Sequence, residues 1–413
     1  MAGGTFGGGN GDVGTPYLVE DFADLDAVRN DLTAHYKQTE NIDMAGQSWN
    51  PIAPREGDPF SGSYDGDGFL LENLTIDAAT VAERGIFLQF SGTLKNTHAR
   101  NFNVTGGWGS GLLVAFTPHG ADLLIENCSA TGTLSSPQGT CGGLIGNLNG
   151  GVARNSWADV AVEGTNNTFE YGGFVGKTGH SAVLIERCYA LGNVKGGSVT
   201  GGDGYIGGFA GQTQWNTTIR ECFAAGDVEG TDMVGGFAGG SEPTIENCYA
   251  LGNVLVLTHG AGTARGGGFF GGYYGENMKN CFSAGTVTAE HATPTLGGFV
   301  AQTFDTEAFT GCFYISDANG TLGTVGTPIL AAELTTALQE VQEAASHVIP
   351  QEQEGTLYHT SATTQELSWP DNLYWPEGAK INSVAAGDAF FLKLRGLHFA
   401  PGVSKWFALP IEE

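Results

Sequence analysis

The sequence GGFVGKTGHSAVLIERCYALGNV, residues 172–194, consists of two phrases that recur along most of the chain. The first phrase has five positions: two Gly, then an apolar residue that is usually Phe, then a small or apolar residue, and usually a final Gly. Its copies begin at residues 142, 172, 207, 235, 267 and 297. The second phrase places a Cys and a few small residues before a Val, and its clearest copies end at Val194, Val228, Val254 and Val287. A nearly constant period with variable filler is the signature of a repeat array.

The repeat unit is predicted to form one turn of a parallel β-helix. Its apolar runs are short, rich in β-branched and aromatic residues, and interrupted by Gly, Asn or Asp, and no helical period is visible inside it. A β-propeller also repeats, but its blades usually have about 40–50 residues. The Gly pairs permit either a positive φ or a close approach of two backbones. The third residue of the first phrase would form a stacked ladder of Leu144, Phe174, Phe209, Phe237, Phe269 and Phe299.

Six of the seven cysteines occupy one position of successive repeats: Cys128, Cys188, Cys222, Cys248, Cys281 and Cys312. Ser156 fills this position in the repeat between the first two. Equivalent residues of a stacked array point the same way and are about 4.8 Å apart. Because a buried Cys behaves as a small hydrophobic residue, we predict a buried thiol ladder. Disulfides between neighbouring turns are the alternative, and they would strain the sheet.

Composition divides the chain into four parts. Residues 1–15 are Gly-rich, which predicts a flexible arm. Residues 16–64 are predicted to cap the array with a short amphipathic helix at Asp21–His35. Residues 65–325 carry the repeats in strong or weak form, and residues 326–413 are predicted to contain a helix at Ala331–Val348, a polar linker and a small aromatic-rich module.

The charge balance limits the possible partners. The chain has 44 acidic and 17 basic residues, a formal net charge of −27. Such a surface repels nucleic acid and anionic membranes, so neither is expected as a partner. The chain contains no apolar run of the roughly 18–20 residues that a transmembrane helix requires, so membrane insertion is not expected.

The first residues lack the basic start and apolar core of a secretory signal. Two explanations remain open: a signal was removed, or the protein leaves its cell by lysis or inside a particle. The initial Met1 favours the second explanation.

The sequence predicts no catalytic, cofactor or metal site. Glycoside hydrolysis needs two carboxyl groups flanking the sugar, and the loop residues Asp203, Asp232, Glu242 and Asp305 cannot be aligned into such a pair. The turn at Asp65 and Asp67 has carboxylate spacing seen in Ca²⁺ loops but lacks the downstream Glu, which favours a tight turn with Asx hydrogen bonds. Exposed side chains in the fillers are therefore the candidates for ligand contact: Trp215, His259, Tyr273 and Tyr274.

The quoted phrases resemble the GLUG-motif repeats of bacterial surface and secreted proteins and of bacteriophage structural proteins. The resemblance extends to EDFADLDAVRNDL, SWNPI and PFSGSYDGDGF, and it covers roughly residues 16–313. The resemblance implies a right-handed parallel β-helix. The family is defined by this scaffold, and its motif is not a catalytic signature. Residues beyond 325 depart from the pattern.

These observations lead to three hypotheses for the function. The first is a non-enzymatic structural and adhesion protein of a phage virion, a spike or fibre that forms a homotrimer through its aromatic tail, contacts other virion proteins and binds a glycan or protein on the host surface. The second is a bacterial cell-surface adhesin, and the third is a tailspike depolymerase that cleaves polysaccharides.

Overall fold

The computed structural model describes residues 6–329 with short gaps, together with four two-residue strands further on, Leu357–Tyr358, Glu366–Leu367, Ile381–Asn382 and Lys393–Leu394. The gaps are 55–56, 78–83, 138, 165–169, 180, 198–203, 258–263, 276, 291–292, 305, 307, 316–318, 320–321 and 324. The predicted helix Ala331–Val348 and most of the predicted aromatic module lie outside the described residues.

The described chain winds into a parallel β-helix, which confirms the predicted fold. Each turn, here called a rung, crosses four sheets in the order A, B, C and D, and each strand pairs in parallel with its equivalents in the rungs before and after it. For example, Val183–Glu186 of sheet C pairs with Gly151–Arg154 on one side and Thr217–Arg220 on the other. The parallel ladders satisfy the backbone groups between rungs, while the interior is filled by side chains.

The strands of the four sheets, within the described residues, have the following bounds. Sheet A contains Ser110–Gly111, Cys141–Gly142, Glu170–Gly172, Tyr205–Gly207, Met233–Gly235, Arg265–Gly267 and Thr295–Gly297. Sheet B contains Phe87–Gln89, Val114–Phe116, Ile145–Leu148, Val175–Thr178, Ala210–Thr213, Ala238–Ser241, Phe270–Tyr273 and Val300–Thr303. Sheet C contains Tyr17–Val19, His35–Gln38, Ser63–Asp65, Thr93–Lys95, Leu124–Glu126, Gly151–Arg154, Val183–Glu186, Thr217–Arg220, Thr244–Glu246, Met278–Lys279 and Phe309–Thr310. Sheet D contains Ile42–Asp43, Leu70–Glu72, Thr75–Ile76, His98–Thr105, Ser129–Ser136, Trp157–Gly164, Tyr189–Ala190, Val194–Lys195, Phe223–Ala224, Val228–Gly230, Tyr249–Ala250, Val254–Val256, Phe282–Ser283, Val287–Ala289, Phe313–Ile315 and Thr327–Ile329.

Sheets A and B are joined at the glycines of the first phrase, a feature we call the Gly bend. A Cβ added to Gly208 would lie 2.2 Å from the carbonyl oxygen of Gly236 in the next rung, and one added to Gly236 would lie 2.2 Å from that of Gly268. Among the described residues, positive φ values fall on other glycines and not on those of the first phrase. The glycines are therefore required by close backbone approach, which decides between the two possibilities left open by the sequence.

The apolar residue at the tip of the Gly bend points into the core. Phe174, Phe209, Phe237, Phe269 and Phe299 are fully buried and stack with centroids 4.7–5.0 Å apart and interplanar angles of 6–11°. This is the ladder that the sequence predicted. Stacked faces at this separation bury large apolar areas on every rung.

Sheets C and D meet at a corner formed by a residue in the left-handed conformation. This residue is usually Asn, as in Asn96, Asn127, Asn155, Asn247 and Asn280, whose φ values are 47–55°. Their side chains also connect rungs, since the Nδ2 of Asn127 donates to the Oδ1 of Asn96 at 2.7 Å. Asn tolerates positive φ better than other residues with a Cβ, which explains its recurrence.

The thiol position follows the corner directly. Cys128, Cys188, Cys222, Cys248, Cys281 and Cys312 are buried, and all are free thiols. Each Sγ lies within hydrogen-bonding distance of the carbonyl oxygen two residues earlier, at 3.1–3.6 Å. The hydroxyls of Thr97 and Ser156 make the same contact at 2.8 Å. Burial raises the pKa of Cys128 to about 12.

The N-terminal region differs from its prediction in two respects. The helix is shorter: an α-helix at Phe22–Ala27 continues as a 3-10 helix at Val28–Asn30, and His35 already belongs to sheet C. The side chain of Asp31 accepts hydrogen bonds from the backbone and hydroxyl of Thr33, and pairing of His35–Gln38 with two neighbouring strands overrides the helical pattern. Parallel stacking therefore begins before residue 65.

The second difference concerns the Gly-rich start, for which the sequence predicted a flexible arm. From Phe6 onwards the chain folds back on the first strand of sheet C. The N–H of Gly7 donates to the carbonyl of Leu18, and the ring of Phe6 stacks on Tyr17 with centroids 4.5 Å apart. This segment covers the end of the coil, where strand edges would otherwise be exposed.

Candidate ligand-binding edge

The Gly bend brings the start of each sheet A strand beside the end of a sheet B strand. In one rung, the Nζ of Lys177 near the end of sheet B lies 2.8 Å from the Oε1 of Glu170 at the start of sheet A. Because the strands stack in register, the same pair of strand ends recurs in every rung. The result is a continuous edge along the coil, opposite the tip of the bend.

Exposed aromatic side chains gather at this edge. Trp108 precedes the first strand of sheet A and is 51% exposed; Trp215 and Phe304 follow sheet B strands and are 59% and 84% exposed. Tyr274, half-buried, stacks loosely on Phe304 with centroids 4.9 Å apart and rings inclined by 30°. We call Trp108, Trp215, Tyr274 and Phe304 the aromatic edge.

The three most exposed rings are regularly spaced. Trp108 lies two residues before the sheet A strand Ser110–Gly111. The sheet A strand in the rung of Trp215 is Tyr205–Gly207, which is three rungs further along the coil. Phe304 follows Val300–Thr303, three rungs after the Ala210–Thr213 strand that precedes Trp215. With about 4.8 Å per rung, each interval corresponds to about 14 Å along the coil.

Polar side chains lie between the rings on the outer side of sheet B. Asn147, Lys177 and Gln212 are in register in successive rungs, followed by two glycines and Gln302. The Nε2 of Gln214 donates to the Oε1 of Gln212 at 3.4 Å, and the hydroxyl of Tyr274 donates to the Oε1 of Gln302 at 3.4 Å. Amides offer both donors and acceptors, so this column can pair with ligand hydroxyl groups.

The predicted contact residues separate into different environments. Trp215 and Tyr274 are at the edge, and burial raises the pKa of the Tyr274 phenol, which remains a hydrogen-bond donor. Tyr273 is fully buried, and its hydroxyl donates to the carbonyl of Pro243 at 2.9 Å. Its neighbour Tyr274 lies on the outer side because strand residues alternate, so Tyr273 is a core residue and not a ligand contact. His259 lies outside the described residues.

Two of the four acidic loop residues, Asp232 and Glu242, lie in the described part of the chain, and their environments differ. Asp232 is buried and accepts a hydrogen bond from the Nη1 of Arg265 at 3.3 Å, so its charge is already compensated. Glu242 is exposed, whereas Asp203 and Asp305 lie outside the described residues. Among the residues described, no group of three or more His, Cys, Asp or Glu could hold a metal ion.

The turn at Asp65 has the tight geometry favoured by the sequence. The Oδ1 of Asp65 accepts the backbone N–H of Asp67 at 2.9 Å and the Nδ2 of Asn96 at 2.9 Å. Asp67 in turn pairs with the Nζ of Lys37 at 2.9 Å. These carboxylates connect neighbouring rungs.

Sequence reasoning missed Trp108 and Phe304. Each stands alone in filler, and neither belongs to the recurring phrases. The available signal was positional: Trp215, Tyr274 and Phe304 all come directly after, or two residues after, the end of a sheet B strand. Aligning the fillers by their distance from the Gly bend would have placed these rings on one edge.

Comparison with known proteins identifies the repeat. The GLUG motif family matches residues 230–255. A stretch of 154 residues is 39% identical to halomucin from Haloquadratum walsbyi; it covers 33% of this chain and 2% of halomucin, so the chain spans a small fraction of that protein. The GLUG match and the stacked sheets agree with the resemblance noted in the sequence: the chain is similar to GLUG-motif proteins at residues 230–255 and folds as a parallel β-helix.

A solved structure shares the fold. It is the crystal structure of a Bacteroides ovatus protein provisionally described as an immunoglobulin A1 protease, with a TM-score of 0.50, 18% sequence identity, and coverage of 89% of this chain and 96% of that chain. At this identity the likeness concerns the fold alone. Within the described residues, no helix is long and apolar enough to cross a membrane.

Proposed function

We propose that this chain is a non-enzymatic adhesion protein that acts at an extracellular surface and binds an extended glycan along the aromatic edge. The observation that carries the proposal is the regular placement of Trp108, Trp215 and Phe304, each about half exposed or more and three rungs from the next. Singly exposed apolar side chains are common on folded proteins, so the proposal depends on the shared edge and the regular interval of these rings and not on their exposure alone.

An extended glycan fits the chemistry of this edge. The flat faces of the rings match the apolar faces of sugar rings, while the amides of Gln212 and Gln302 pair with hydroxyl groups. An interval of about 14 Å between exposed rings suits a linear chain of several sugars that lies along the coil. A net charge of −27 favours neutral or cationic ligands over anionic polymers.

The binding experiment compares the full chain with a triple variant on a glycan array. The variant Trp108→Ala, Trp215→Ala, Phe304→Ala removes exposed rings and should leave the far-UV circular dichroism spectrum unchanged. We expect an affinity loss of about 10- to 100-fold for the bound glycan. The control is Val13→Ala, which removes a 79% exposed apolar side chain away from the edge. Equal binding by the triple variant and the control would refute the proposal.

We propose a phage virion as the location of this adhesion protein, and a cell surface as the alternative. The resemblance to GLUG repeats of phage structural proteins supports the first, and the halomucin match supports a surface role without distinguishing between them. Antibody labelling of purified particles separates the two: labelled particles support the virion, and unlabelled particles with labelled cells support the cell surface.

The proposed absence of catalysis has its own test. Asp232, one of the acidic candidates, is held in an ion pair with Arg265, which supports a structural role for it. Incubation of the protein with the glycan that it binds should release no oligosaccharides. Released fragments would replace this proposal with the depolymerase.

A further inference from the structure

Glu242 lies in the middle of the aromatic edge. It directly follows the sheet B strand Ala238–Ser241, just as Tyr274 and Phe304 directly follow the sheet B strands of the next two rungs. The ends of four successive strands are in register: Thr213, Ser241, Tyr273 and Thr303. Trp215 comes two residues after the first of these ends. Along the coil, the exposed Glu242 is therefore placed between Trp215 and Tyr274, one rung from each.

The backbone holds Glu242 in a fixed position. Ser241 has a φ of 114°, the largest positive φ of any described residue with a Cβ, and its carbonyl accepts the N–H of Tyr274 at 3.1 Å. On the other side, Pro243 is buried and its carbonyl accepts the hydroxyl of Tyr273 at 2.9 Å. Backbone in such a sparsely populated conformation persists where the surroundings enforce it, and it clusters at functional sites. The strained residue here directly precedes an exposed carboxylate.

Two glycines let aromatic rings lie against sheet B beside Glu242. A Cβ added to Gly240, in the strand that ends before Glu242, would lie 2.9 Å from two ring carbons of Tyr205. One added to Gly272, in the next rung, would lie 2.9 Å from the hydroxyl oxygen of Tyr274. Larger side chains at these positions would push the rings away. Aromatic side chains therefore flank the rung of Glu242 on both sides.

The charge of Glu242 is not compensated by an ion pair within the described part of the chain. The basic side chains described at this edge are already engaged: the Nζ of Lys177 lies 2.8 Å from the Oε1 of Glu170, and the Nη1 of Arg265 lies 3.3 Å from the Oδ1 of Asp232. Glu242 thus adds a negative charge between aromatic rings, an arrangement that attracts a cation.

We propose that Glu242 and its aromatic neighbours form a subsite for a protonated amino group of the glycan, so that the edge selects chains of amino sugars that are not N-acetylated. This inference rests on the proposed glycan binding. An ammonium group donates charge-assisted hydrogen bonds to a carboxylate and is attracted to the faces of rings such as Trp215 and Tyr274. A neutral acetamide cannot replace either interaction. Sugar hydroxyl groups, in contrast, pair with an amide as well as with a carboxylate.

Calorimetric titration with two oligosaccharides of equal length tests the subsite. One consists of β-1,4-linked glucosamine and the other is its fully N-acetylated form, and both are measured at about pH 5.5, where the amino groups are protonated. We expect the unaltered chain to bind the glucosamine form at least about 10-fold more tightly. In Glu242→Gln this preference should fall below about 2-fold, while the affinity for the acetylated form stays the same.

The matched control is Glu40→Gln, which removes an exposed carboxylate after a sheet C strand near the start of the coil. It makes the same change in net charge and should keep the full preference. Equal affinity of the unaltered chain for the two oligosaccharides, no binding of the glucosamine form, or an undiminished preference in Glu242→Gln would each overturn the subsite.

The triple variant Trp108→Ala, Trp215→Ala, Phe304→Ala separates this inference from the proposed function. If the unaltered chain shows no preference but the triple variant loses affinity for the acetylated form, the glycan-binding edge stands and the amino-group subsite is refuted. If the triple variant binds both oligosaccharides as tightly as the unaltered chain, the edge itself is refuted, and the subsite with it.

Discussion

The backbone N–H of Cys188 donates a hydrogen bond to the Sγ of Cys222 in the next rung, at 3.4 Å. Cys222 repeats this contact with Cys248, also at 3.4 Å. Because each Sγ also lies near the carbonyl two residues earlier, the thiol links its own corner to the neighbouring rung. Ser156 does the same with oxygen, since its Oγ accepts the N–H of Cys128 at 3.0 Å. The position therefore selects a small side chain that both donates and accepts.

The first prediction follows from this double role. In Cys222→Ser the hydroxyl keeps both contacts, so the free energy of unfolding should change by less than about 1 kcal/mol. Cys222→Ala leaves the N–H of Cys188 and the carbonyl of Arg220 without the contacts that the thiol provides, and should cost about 1–3 kcal/mol. Urea denaturation followed by circular dichroism measures both. Equal midpoints for the two variants would show that the thiol acts only by filling space.

The second prediction concerns the Gly bend. In Gly208→Ala the new Cβ would lie 2.2 Å from the carbonyl oxygen of Gly236, so the two rungs must move apart. We expect a loss of several kcal/mol, as for other severe core overpacking. Gly14→Ala is the control, because nothing lies within 4 Å of its Cβ position. Similar thermal stability of the two variants would refute the need for close backbone approach.

The sequence was sufficient for the fold because the fold repeats. The period of the Gly phrase predicted the β-helix, and the Phe at its third position predicted a stacked ladder. The sequence left open which residues of the Gly phrase face the core, and the structure shows that this ladder does. The stack of Tyr189 on Phe223, whose centroids are 4.9 Å apart, was not predicted. Both residues belong to the same phrase as the cysteines, and nothing local says which of two adjacent apolar residues faces the core. Side chains alternate between the two faces of a strand. Because the thiols face the core, the rings next to them face outward.

The candidate site was only partly predictable, for a related reason. Trp215 and Tyr274 were identified as aromatic residues in filler, but Tyr273 was included with them, and one residue of register separates a core side chain from an exposed one. Trp108 and Phe304 can be assigned to the aromatic edge only when it is known how distant rungs stack. Register between rungs is a tertiary property that single phrases do not carry.

The third prediction concerns acid stability. His98 is buried with its Nδ1 2.8 Å from the Oγ of Ser129, and burial lowers its pKa to about 4. Between about pH 6.5 and pH 4 the unfolded chain binds a proton at this residue and the folded chain does not, so its contribution destabilises the fold as the pH falls through this window. The full effect is up to about 3 kcal/mol. His98→Gln should flatten the dependence of the denaturation midpoint on pH in this window; a constant difference between variant and parent from pH 7 to pH 4.5 would contradict the assignment.

The fourth prediction is a stabilising substitution at the corner between sheets C and D. Glu221 has a φ of 57°, in the position that Asn247 and Asn280 occupy in the following rungs. Left-handed backbone is costly for Glu and tolerated by Asn, so Glu221→Asn should gain about 1 kcal/mol. The new amide can also join the Asn column, in which the Nδ2 of Asn280 donates to the Oδ1 of Asn247 at 3.1 Å.

The charge of Glu221 makes this gain depend on pH. Burial, with a smaller contribution from Glu186, raises the pKa of Glu221 above its ordinary value, although Arg187 and Arg220 oppose the shift. The folded chain thus holds this proton more tightly than the unfolded chain, and the ionised carboxylate destabilises the fold at neutral pH. The advantage of Glu221→Asn should therefore be larger at pH 7 than at pH 4, where part of the carboxylate is protonated in both states. The reverse substitution Asn247→Glu is the control and should destabilise, and a Glu221→Asn variant no more stable than the parent at pH 7 would show that the corner tolerates Glu without cost.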